Sequence, residues 1–373
     1  MREDYKLYSM LVSMYSGKVR AYMNYKRLNY VDKSADIFDM SFRIRSKTGE
    51  RVLPVVETRS GEWLQDTTII IETLEERHPE PSIAVPTPIQ YAASLLLECW
   101  GDEYWLPVAM HYRWSYEENH AFIQDEVSKS TVPFAARTLG RYVAKQATDR
   151  LAKAAPIIGF IPAQHDMLEA WTERILDLLE THFNEHDYLF GGRPTIADFS
   201  LLASFFGHLD RDPAPKRILM SKRPKLAAWV ERTHSGYGAR GDLLPGDAVP
   251  ETLSPILQCV FTEFFPMVAS YRDVLLAHVN EHRLGPGDPV PRFLKPASFP
   301  MGNHTFKRSA MPYTLWMMQR ARNKCLAADA ASQGKVEDWL TKTFGTGITS
   351  MDFGPTLERS GLSTKIAKTT ENS

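Results

Sequence analysis

The stretch Arg51-Val52-Leu53-Pro54-Val55-Val56-Glu57 places a proline at the entrance of a predicted β-strand, where its missing N–H is tolerated. A turn at Ser60-Gly61 follows, and then the polar run Asp66-Thr67-Thr68. Behind that run, Ile69-Ile70-Ile71 and Leu74 have the spacing of an amphipathic helix, and the polar residues before them are suited to cap its start. The stretch therefore predicts two strands and a helix in succession.

The residues before this stretch add one more strand and one more helix. Tyr5 to Val12 is apolar enough for a buried strand, and Ser16 to Leu28 has helical periodicity with basic residues on one side. The segment from Asp32 to Gly49 has no familiar pattern. The resulting order, β-α and then β-β-α, suits a small α/β unit with helices packed on a mixed sheet.

The chain after this unit is predicted to be helical. A linker is marked by four prolines, Pro79, Pro81, Pro86 and Pro88. Helical periodicity then runs from about Ile89 to Thr233. Within it, Thr195-Ile196-Ala197-Asp198 has the pattern of a capping box, which assigns Asp198 to folding and not to catalysis.

The remaining residues form an extension. Thr252 to His282 and Pro312 to Ala331 are predicted helices, separated by a crossing rich in proline and glycine from Leu284 to Gly302. From about Pro355 the chain is rich in Ser, Thr and Lys, which predicts disorder. The expected division is into residues 1–82, 83–240, 241–354 and a disordered tail, 355–373.

Composition and charge favour a globular protein without a nucleic-acid or membrane partner. The 373 residues are 43% hydrophobic and 24% charged, with a net charge of −1, so large cores can form and no global charge attracts a polyanion. The longest apolar stretch, Leu201 to Leu209, is about half of what spans a bilayer. Three well-separated cysteines (Cys99, Cys259 and Cys325) and an N-terminus without a secretory pattern favour the cytoplasm.

Four motifs occur in order along the chain. They are Leu7-Tyr8-Ser9 with Ser13-Met14-Tyr15-Ser16-Gly17-Lys18-Val19-Arg20; Val52-Leu53-Pro54-Val55; Leu64-Gln65-Asp66-Thr67-Thr68-Ile69-Ile70 with Leu74-Glu75; and Tyr188-Leu189-Phe190-Gly191-Gly192-Arg193-Pro194-Thr195-Ile196-Ala197-Asp198-Phe199. Each is weak alone. Together they resemble the glutathione transferase superfamily, and the first resembles the start of its serine-type classes, including zeta-like enzymes and bacterial β-etherases. Met14 departs from the proline that is usual at that position.

The resemblance covers roughly residues 5 to 233 and implies a fold. Residues 1–82 would form a thioredoxin-like α/β domain with a mixed sheet that binds glutathione, and residues 83–240 the all-α C-terminal domain of the family. Residues 241–354 would be an extra helical extension. The resemblance also implies glutathione as co-substrate and a homodimer.

A glutathione site is implied on the matching residues. Ser13 would stabilise the glutathione thiolate, with Tyr8, Tyr15 and Ser16 as runners-up for that role. The residue pair Leu53-Pro54, with a cis peptide bond, would present the Leu53 backbone to the cysteinyl part. Asp66 would hold the γ-glutamyl amine and Thr67 the γ-glutamyl carboxylate. Ser13 could itself be only a helix N-cap, but Ser16 is the more obvious cap, which leaves the Ser13 hydroxyl freer for the sulfur. Asp66-Thr67 is also compatible with an ordinary helix start.

The second substrate is expected between the domains. The first long helices are dense in large side chains that suit a hydrophobic electrophile, namely Tyr104, Trp105, Met110, Tyr112 and Trp114. Core packing or a dimer contact explains the same residues equally well. His182 and His186 have no evident third ligand, so they are read as surface histidines and no metal site is predicted.

The resemblance implies an enzyme of the glutathione transferase type, in which the thiolate attacks a hydrophobic electrophilic small molecule. Isomerisation, dehalogenation and ether cleavage by a lyase are alternatives, because all of them use the same activated thiolate. A non-catalytic binding or assembly module on the same fold is the rival hypothesis. The extension would cap the substrate cleft or enlarge a subunit interface.

Overall fold

The computed structural model describes residues 3–134, 136–238, 241–345, 347 and 352–368. Its N-terminal unit consists of β1 (Tyr5–Ser9), α1 (Met14–Tyr25), β2 (Tyr30–Ser34), α2 (Arg45–Thr48), β3 (Val55–Thr58), β4 (Trp63–Gln65) and α3 (Thr67–Arg77). The strand order is β2-β1-β3-β4, with β1 parallel to β2 and antiparallel to β3. The predicted α/β unit with a mixed sheet is confirmed.

Alternation along β1 decides which side chains reach the main core. Leu7 lies opposite Val56 in the strand register and is fully buried with side chains of α1 and α3. Tyr8 lies opposite Val55 and packs in a separate small cluster. Because neighbouring residues of a strand point to opposite faces, the sheet has one face toward the protein core and another covered by the segment around α2.

The second part of the chain is helical, as predicted. Its helices are α4 (Pro88–Glu103), α5 (Leu106–Trp114), α6 (Glu117–Thr131), α7 (Arg137–Ala154), α8 (His165–Glu185), α9 (Ile196–Ser204), α10 (Pro213–Ile218) and α11 (Pro224–Ser235). A group of buried tryptophans joins three of them. The ring of Trp105 lies 5.4 Å from that of Trp100 and 5.1 Å from that of Trp171, edge to face in both pairs.

The Asp198 carboxylate fixes the turn before α9. Its Oδ1 accepts from Leu189 N at 3.0 Å and from Trp229 Nε1 at 3.2 Å, and its Oδ2 accepts from Thr195 N at 2.9 Å. The predicted capping box is present. Asp198 therefore ties the turn, the helix start and α11 together from a fully buried position.

Asp198→Asn is expected to lower the free energy of unfolding by about 2 kcal/mol at pH 8, because the amide turns one of its acceptor atoms into a donor that faces an N–H group. Urea unfolding measures the loss. Asp187→Asn is the matched control, since the Asp187 side chain is 64% exposed and should change stability by less than about 0.5 kcal/mol. Equal effects of the two substitutions would contradict the structural role of Asp198.

The extension contains helices and strands. It consists of α12 (Ser254–Cys259), α13 (Phe265–His282), β5 (Pro289–Val290), β6 (Pro296–Met301), β7 (His304–Ser309), α14 (Pro312–Leu326), α15 (Ala330–Phe344), β8 (Leu357–Ser360) and β9 (Ser363–Ile366). The strands β6 and β7 form a hairpin, and β5, β9 and β8 form a second small sheet in that order. The predicted helices of the extension are present, and the strands in and after the proline- and glycine-rich crossing were not indicated by the sequence.

The predicted disordered tail was wrong for residues 357–366. The strands β8 and β9 pair antiparallel, with Leu357 opposite Ile366, and both side chains are buried. Gly361, with φ of 61°, occupies the turn between them. Polar composition suggested disorder, but alternate residues of these strands face the core, and a period of two is easily missed in so short a segment. Residues 369–373 of the predicted tail lie outside the described residues.

The helices α12 and α13 form one apolar run. Glu251–His282 is long and apolar enough to cross a membrane by length and composition. Its apolar 18-residue stretch is 61% buried inside the protein. Met267, Tyr271 and Leu275 of α13 are fully buried in the main core. The run is packed as a core helix of this fold, and the extension shares one hydrophobic core with the other parts of the chain.

Candidate functional site

A cavity lies where the N-terminal sheet, α1, the end of α4 and the extension meet. Its empty space is about 740 Å³, a figure that includes open solvent at its mouth. Its wall comes from distant parts of the chain: Tyr15; Val52, Leu53 and Pro54; Gln65, Asp66, Thr67 and Thr68; Asp102, Glu103 and Leu106; and Arg292, Met311, Tyr313, Met317 and Leu362. The cavity therefore unites the second and third sequence motifs with the end of the chain.

The segment before β3 forms one side of the cavity. The peptide bond between Leu53 and Pro54 is cis, as expected, and both residues line the wall. Proline at this position leaves β3 free to pair from Val55 onward with both β1 and β4.

The start of α3 forms the adjacent side. Asp66 is the N-cap of α3 with a φ of 87°, and its Oδ1 accepts from Thr68 N at 3.0 Å. Thr67 begins the helix, where the first N–H groups have no partner within the helix itself. Such groups favour an anion. Asp66 and Thr67, predicted as a pair, thus lie together at the cavity.

The Asp66 carboxylate already has partners from the extension. The hydroxyl of Tyr313 donates to Asp66 Oδ2 at 2.5 Å, and Arg359 Nη1 lies 3.9 Å from the same oxygen. Arg359 also donates to Gln65 Oε1 at 3.1 Å. Residues near the end of the chain therefore hold the side chains that precede α3.

Ser13 is the N-cap of α1, and its Oγ accepts from Ser16 N at 3.3 Å. The helix accordingly begins at Met14 and not at Ser16. Ser16 is buried, and its own hydroxyl accepts from Met10 N at 3.3 Å. The expectation that Ser16 caps the helix and leaves Ser13 free was wrong, because Ser13 takes the extended backbone conformation that an N-cap needs. Ser13 remains half-buried.

Tyr15 reaches the cavity from the first turn of α1. Its hydroxyl donates to the backbone oxygen of Asp102 at 3.0 Å. Burial, with Glu103 and Asp102 nearby, holds the pKa of Tyr15 well above its usual value. Tyr15 is therefore a neutral hydrogen-bonding group in the cavity wall.

Tyr8 lies elsewhere. It stacks on Trp63 with ring centroids 5.3 Å apart, its hydroxyl donates to Glu57 Oε2 at 2.9 Å, and it accepts from Arg43 Nη1 at 3.2 Å. Burial raises the pKa of Tyr8 to about 12. Tyr8 is not among the residues that line the cavity, although Leu53, which does line it, packs against the same small cluster as Tyr8.

Two family models match the chain in the order in which these parts occur. The N-terminal domain of glutathione S-transferase matches residues 7–82, and the C-terminal domain of glutathione S-transferase matches residues 162–232. The chain therefore carries both domains of the glutathione transferase superfamily. The thioredoxin-like N-terminal domain and the helical domain behind it are those of this superfamily, with an extension beyond them.

Solved structures of glutathione transferases resemble this chain at low identity. The β-etherase LigF from Sphingobium sp. strain SYK-6 is 22% identical, with 61% of this chain and 94% of that one covered and a TM-score of 0.42. A tau class glutathione S-transferase from mango (Mangifera indica) is 17% identical, with 69% and 98% covered and a TM-score of 0.40. A glutathione S-transferase from Methylobacterium radiotolerans, in complex with glutathione sulfonate, is 17% identical, with 66% and 99% covered and a TM-score of 0.36. No curated protein matches the chain.

Two adjacent carboxyl groups of this glutathione transferase-like chain end α4 at the cavity. Lys18 Nζ donates to Asp102 Oδ2 at 2.6 Å, and Thr314 Oγ1 donates to Glu103 Oε2 at 2.6 Å. Burial raises the pKa of Asp102 to about 6, although Lys18 opposes the shift. Burial also raises the pKa of Glu103 to about 7, and the Asp102 charge acts in the same direction.

Glu103→Gln is expected to raise the free energy of unfolding by about 2 kcal/mol at pH 8 and to change it little at pH 5. The pKa of Glu103 is about 7 in the folded protein against an ordinary value of 4.5. Protonation therefore favours the fold. That stability is fully present below about pH 4.5 and is lost as the pH rises through about 7.

Urea unfolding of both proteins at pH 5 and pH 8 checks this prediction. Glu76→Gln is the matched control, because Glu76 is exposed and should give the same small effect at both pH values. A Glu103→Gln effect that is equal at pH 5 and pH 8 would contradict the raised pKa.

The structure corrects the predicted second-substrate pocket. Tyr104, Trp105 and Tyr112 are each no more than 1% exposed and belong to the main core. Trp114 packs beside Val12 in a separate cluster, in which side chains of α6 and α7 take part. Met110 is half-buried on α5 and is likewise not among the cavity-lining residues of the described chain. Their density reflects helix packing, the alternative that the sequence left open.

The cavity instead has an apolar wall that the sequence did not reveal. It comes from Leu106 of α5 and from the extension residues Met311, Met317 and Leu362. Apolar residues in the extension were visible as a pattern, but no local signal indicates which of them fold back onto a site formed by the first residues of the chain.

The prediction that His182 is a surface residue was wrong. It is fully buried, its Nδ1 lies 2.8 Å from Thr252 Oγ1, and its Nε2 lies 3.3 Å from the Tyr188 backbone oxygen. Burial lowers the pKa of His182 to about 4. Within the described ranges, no cluster of three or more His, Cys, Asp or Glu side chains could hold a metal ion.

Proposed function

We propose that this protein binds glutathione in the cavity and activates its thiol for reaction with a hydrophobic electrophile. The observation that carries the proposal is the convergence of three parts on one cavity of a glutathione transferase fold. These are the cis Leu53-Pro54 segment, the Asp66-Thr67 start of α3 and the first turn of α1 with Tyr15. A tripeptide needs such separated backbone and side-chain contacts.

Glutathione would lie with its backbone along the segment before β3. The N–H and C=O of an extended segment can pair with a peptide as an added strand, and Leu53, which lines the cavity, would take this role. The γ-glutamyl carboxylate would meet the N–H groups at Thr67, and the γ-glutamyl amine the Asp66 carboxylate. Because Tyr313 and Arg359 contact Asp66, they would hold its carboxylate in place for the amine.

The thiol would lie at the N-terminus of α1. A hydroxyl that donates to the sulfur and the positive end of the helix dipole both favour the thiolate. Ser13 Oγ accepts from Ser16 N, which leaves its own hydrogen available for donation to a thiolate. The Tyr15 hydroxyl, in contrast, has its hydrogen on the Asp102 backbone oxygen. The free hydroxyl hydrogen favours Ser13 over Tyr15 as the donor, although Tyr15 and not Ser13 is among the residues that line the cavity.

The reaction would be nucleophilic attack by the sulfur. The thiolate forms a bond to an electrophilic carbon of the second substrate, whose leaving group departs with the bonding electron pair and is protonated by solvent. Leu106, Met311, Met317 and Leu362 form the apolar surface for that substrate. Since most of this surface belongs to the extension, we expect the extension to cap the cleft and restrict the substrates that enter. The finer chemistry, whether conjugation, isomerisation, dehalogenation or ether cleavage, begins from the same thiolate.

A non-catalytic binding module is the second candidate. The observation that favours it is the engagement of Asp66 by Tyr313, which occupies part of the carboxylate that the γ-glutamyl amine would use. In that case glutathione would bind weakly or not at all, and the extension would keep the cavity closed.

A titration of glutathione by calorimetry, followed by a panel of electrophiles, separates the two candidates. The panel spans haloaromatics, epoxides, enones and aryl ethers, each with and without glutathione. Saturable glutathione binding with glutathione-dependent consumption of at least one class supports the enzyme. Absence of glutathione binding to the folded protein would reject it. A homodimer in the cytoplasm is our further expectation, and light scattering on the purified full chain measures the oligomeric state.

A further inference from the structure

The charged groups around the cavity do not all compensate one another. Asp102 is paired with Lys18, Asp66 accepts from Thr68 N and from Tyr313, and Glu103 accepts from Thr314. Each carboxyl group in the cavity wall is therefore already held by other groups of the chain. This leaves the cation of the wall, Arg292, to be accounted for.

Arg292 lies in the loop between β5 and β6 and lines the cavity. The residue as a whole is exposed, and its guanidinium lies 5.2 Å from the centre of the Phe293 ring. Among the described residues no carboxylate pairs with it. The positive charge of Arg292 lowers the pKa of Tyr15, whereas the charges of Glu103 and Asp102 raise it. Arg292 thus contributes an unpaired positive charge to the cavity wall.

The extension side of the cavity wall combines Arg292 with apolar residues. Arg292 belongs to the extension, which also supplies the apolar residues Met311, Met317 and Leu362 to the wall. The groups expected to hold glutathione, Leu53 and Thr67, come from the N-terminal domain. A guanidinium beside an apolar wall suits a molecule with an apolar body and an anionic end.

We propose that Arg292 binds a carboxylate on the second substrate, so that the electrophile is an amphipathic molecule with an apolar body and an anionic end. This inference rests on the proposed function, since it assigns the substrate class of the same cavity. A planar guanidinium can bind a carboxylate through two parallel N–H donors, which gives orientation as well as affinity. The carboxylate would hold the apolar body of the electrophile against the extension, with its reactive carbon toward the sulfur.

Calorimetry with three probes tests the assignment: glutathione, S-benzylglutathione and S-(4-carboxybenzyl)glutathione. We expect the carboxybenzyl conjugate to bind the wild-type protein about tenfold or more tighter than the benzyl conjugate. Arg292→Gln should remove this difference and leave the affinities for glutathione and S-benzylglutathione unchanged. Arg150→Gln, which removes the same charge from an exposed position of α7, is the matched control and should preserve the difference.

Two results would overturn the proposal. If Arg292→Gln weakens all three probes equally, Arg292 binds a carboxylate of glutathione itself. If the two conjugates bind the wild type with equal affinity, Arg292 binds no carboxylate of the electrophile.

A failure of the proposed function has a different outcome, in which none of the three glutathione probes binds. Saturation-transfer NMR with p-toluate and its neutral amide then tests Arg292 without glutathione. Preferential binding of p-toluate that Arg292→Gln abolishes supports the anion subsite. Equal signals from the two probes, or no change in the variant, would overturn it.

Discussion

Ser13→Ala is expected to lower glutathione-dependent turnover at pH 7 by about tenfold to a hundredfold while glutathione binding is largely retained. A hydrogen bond to a charged group contributes about 1.5–3 kcal/mol, and about 1.4 kcal/mol corresponds to one pKa unit of the thiol. Loss of the hydroxyl should therefore raise the thiol pKa of bound glutathione by about one to two units and reduce the thiolate fraction in proportion. Steady-state kinetics across pH measures the effect.

The structure supplies the controls for this substitution. Ser13 also caps α1, so alanine should lower stability by about 1 kcal/mol. Ser13→Asn keeps a capping side chain but lacks the hydroxyl, and Ser13→Thr keeps both. Turnover should fall in the asparagine variant and survive in the threonine variant. Tyr8→Phe should have little effect on turnover, because the Tyr8 hydroxyl is engaged by Glu57 and Arg43. A Tyr15→Phe variant that loses more activity than Ser13→Ala would move the role to Tyr15.

Arg320→Met is expected to lower the free energy of unfolding by about 3–5 kcal/mol, because it leaves a buried carboxylate without its cation. Arg320 of α14 donates to Glu98 Oε2 of α4 at 2.9 Å and to Glu72 Oε1 of α3 at 2.6 Å. The Glu98 side chain is completely buried, whereas Lys324 also contacts Glu72 at 2.5 Å. The loss of stability therefore comes mainly from the Glu98 carboxylate, which is left buried without its cation. Urea unfolding, with solubility of the variant as a second readout, measures it.

Two further variants make the Arg320 prediction specific. Arg217→Met breaks the pair with Glu118, whose side chains are 64% and 42% exposed, and should cost at most about 1 kcal/mol. The double variant Arg320→Met/Glu98→Gln removes the stranded charge and should recover part of the stability. A cost for Arg320→Met no greater than for Arg217→Met would contradict the view that the extension is part of the folded core. Truncation before Gly241 is less informative, because it also removes buried residues such as Tyr271 and Leu275.

Local patterns predicted the N-terminal domain well. Proline at the entrance of β3, the polar start of α3 and the apolar β1 are signals that each lie within a few residues of the element they predict, and the structure has these elements in the expected order. The strand β2 and the helix α2, which lie in or beside the segment without a familiar pattern, were not predicted. The capping box at Thr195 and Asp198 was equally local. The start of α1 was misplaced by the choice between two serines, since either Ser13 or Ser16 could have capped the helix and only the backbone conformation distinguishes them.

The site could be predicted only in part, because half of its wall comes from residues far away in the chain. Leu53, Pro54, Asp66 and Thr67 were indicated by motifs, and all of them line the cavity. Arg292 and Tyr313 were not, because no periodicity or motif relates them to residues more than two hundred positions earlier. The tryptophans and tyrosines in α5 and in the turn before it were predicted to line the pocket because aromatic residues are dense there, and this prediction was wrong. A high density of aromatic residues predicts burial, and burial alone does not distinguish a core from a pocket.

The central claim is that this chain converts glutathione to its thiolate at the start of α1. Its most direct test is the absorbance of bound glutathione thiolate, measured as a difference spectrum of the wild-type protein with and without glutathione over about pH 5 to 9. We predict that bound glutathione is at least half ionised at pH 7, so that its thiol pKa lies well below the value of about 8.5 for an ordinary cysteine thiol. A thiol of bound glutathione that titrates as it does in water, or a folded protein that does not bind glutathione, would contradict this claim.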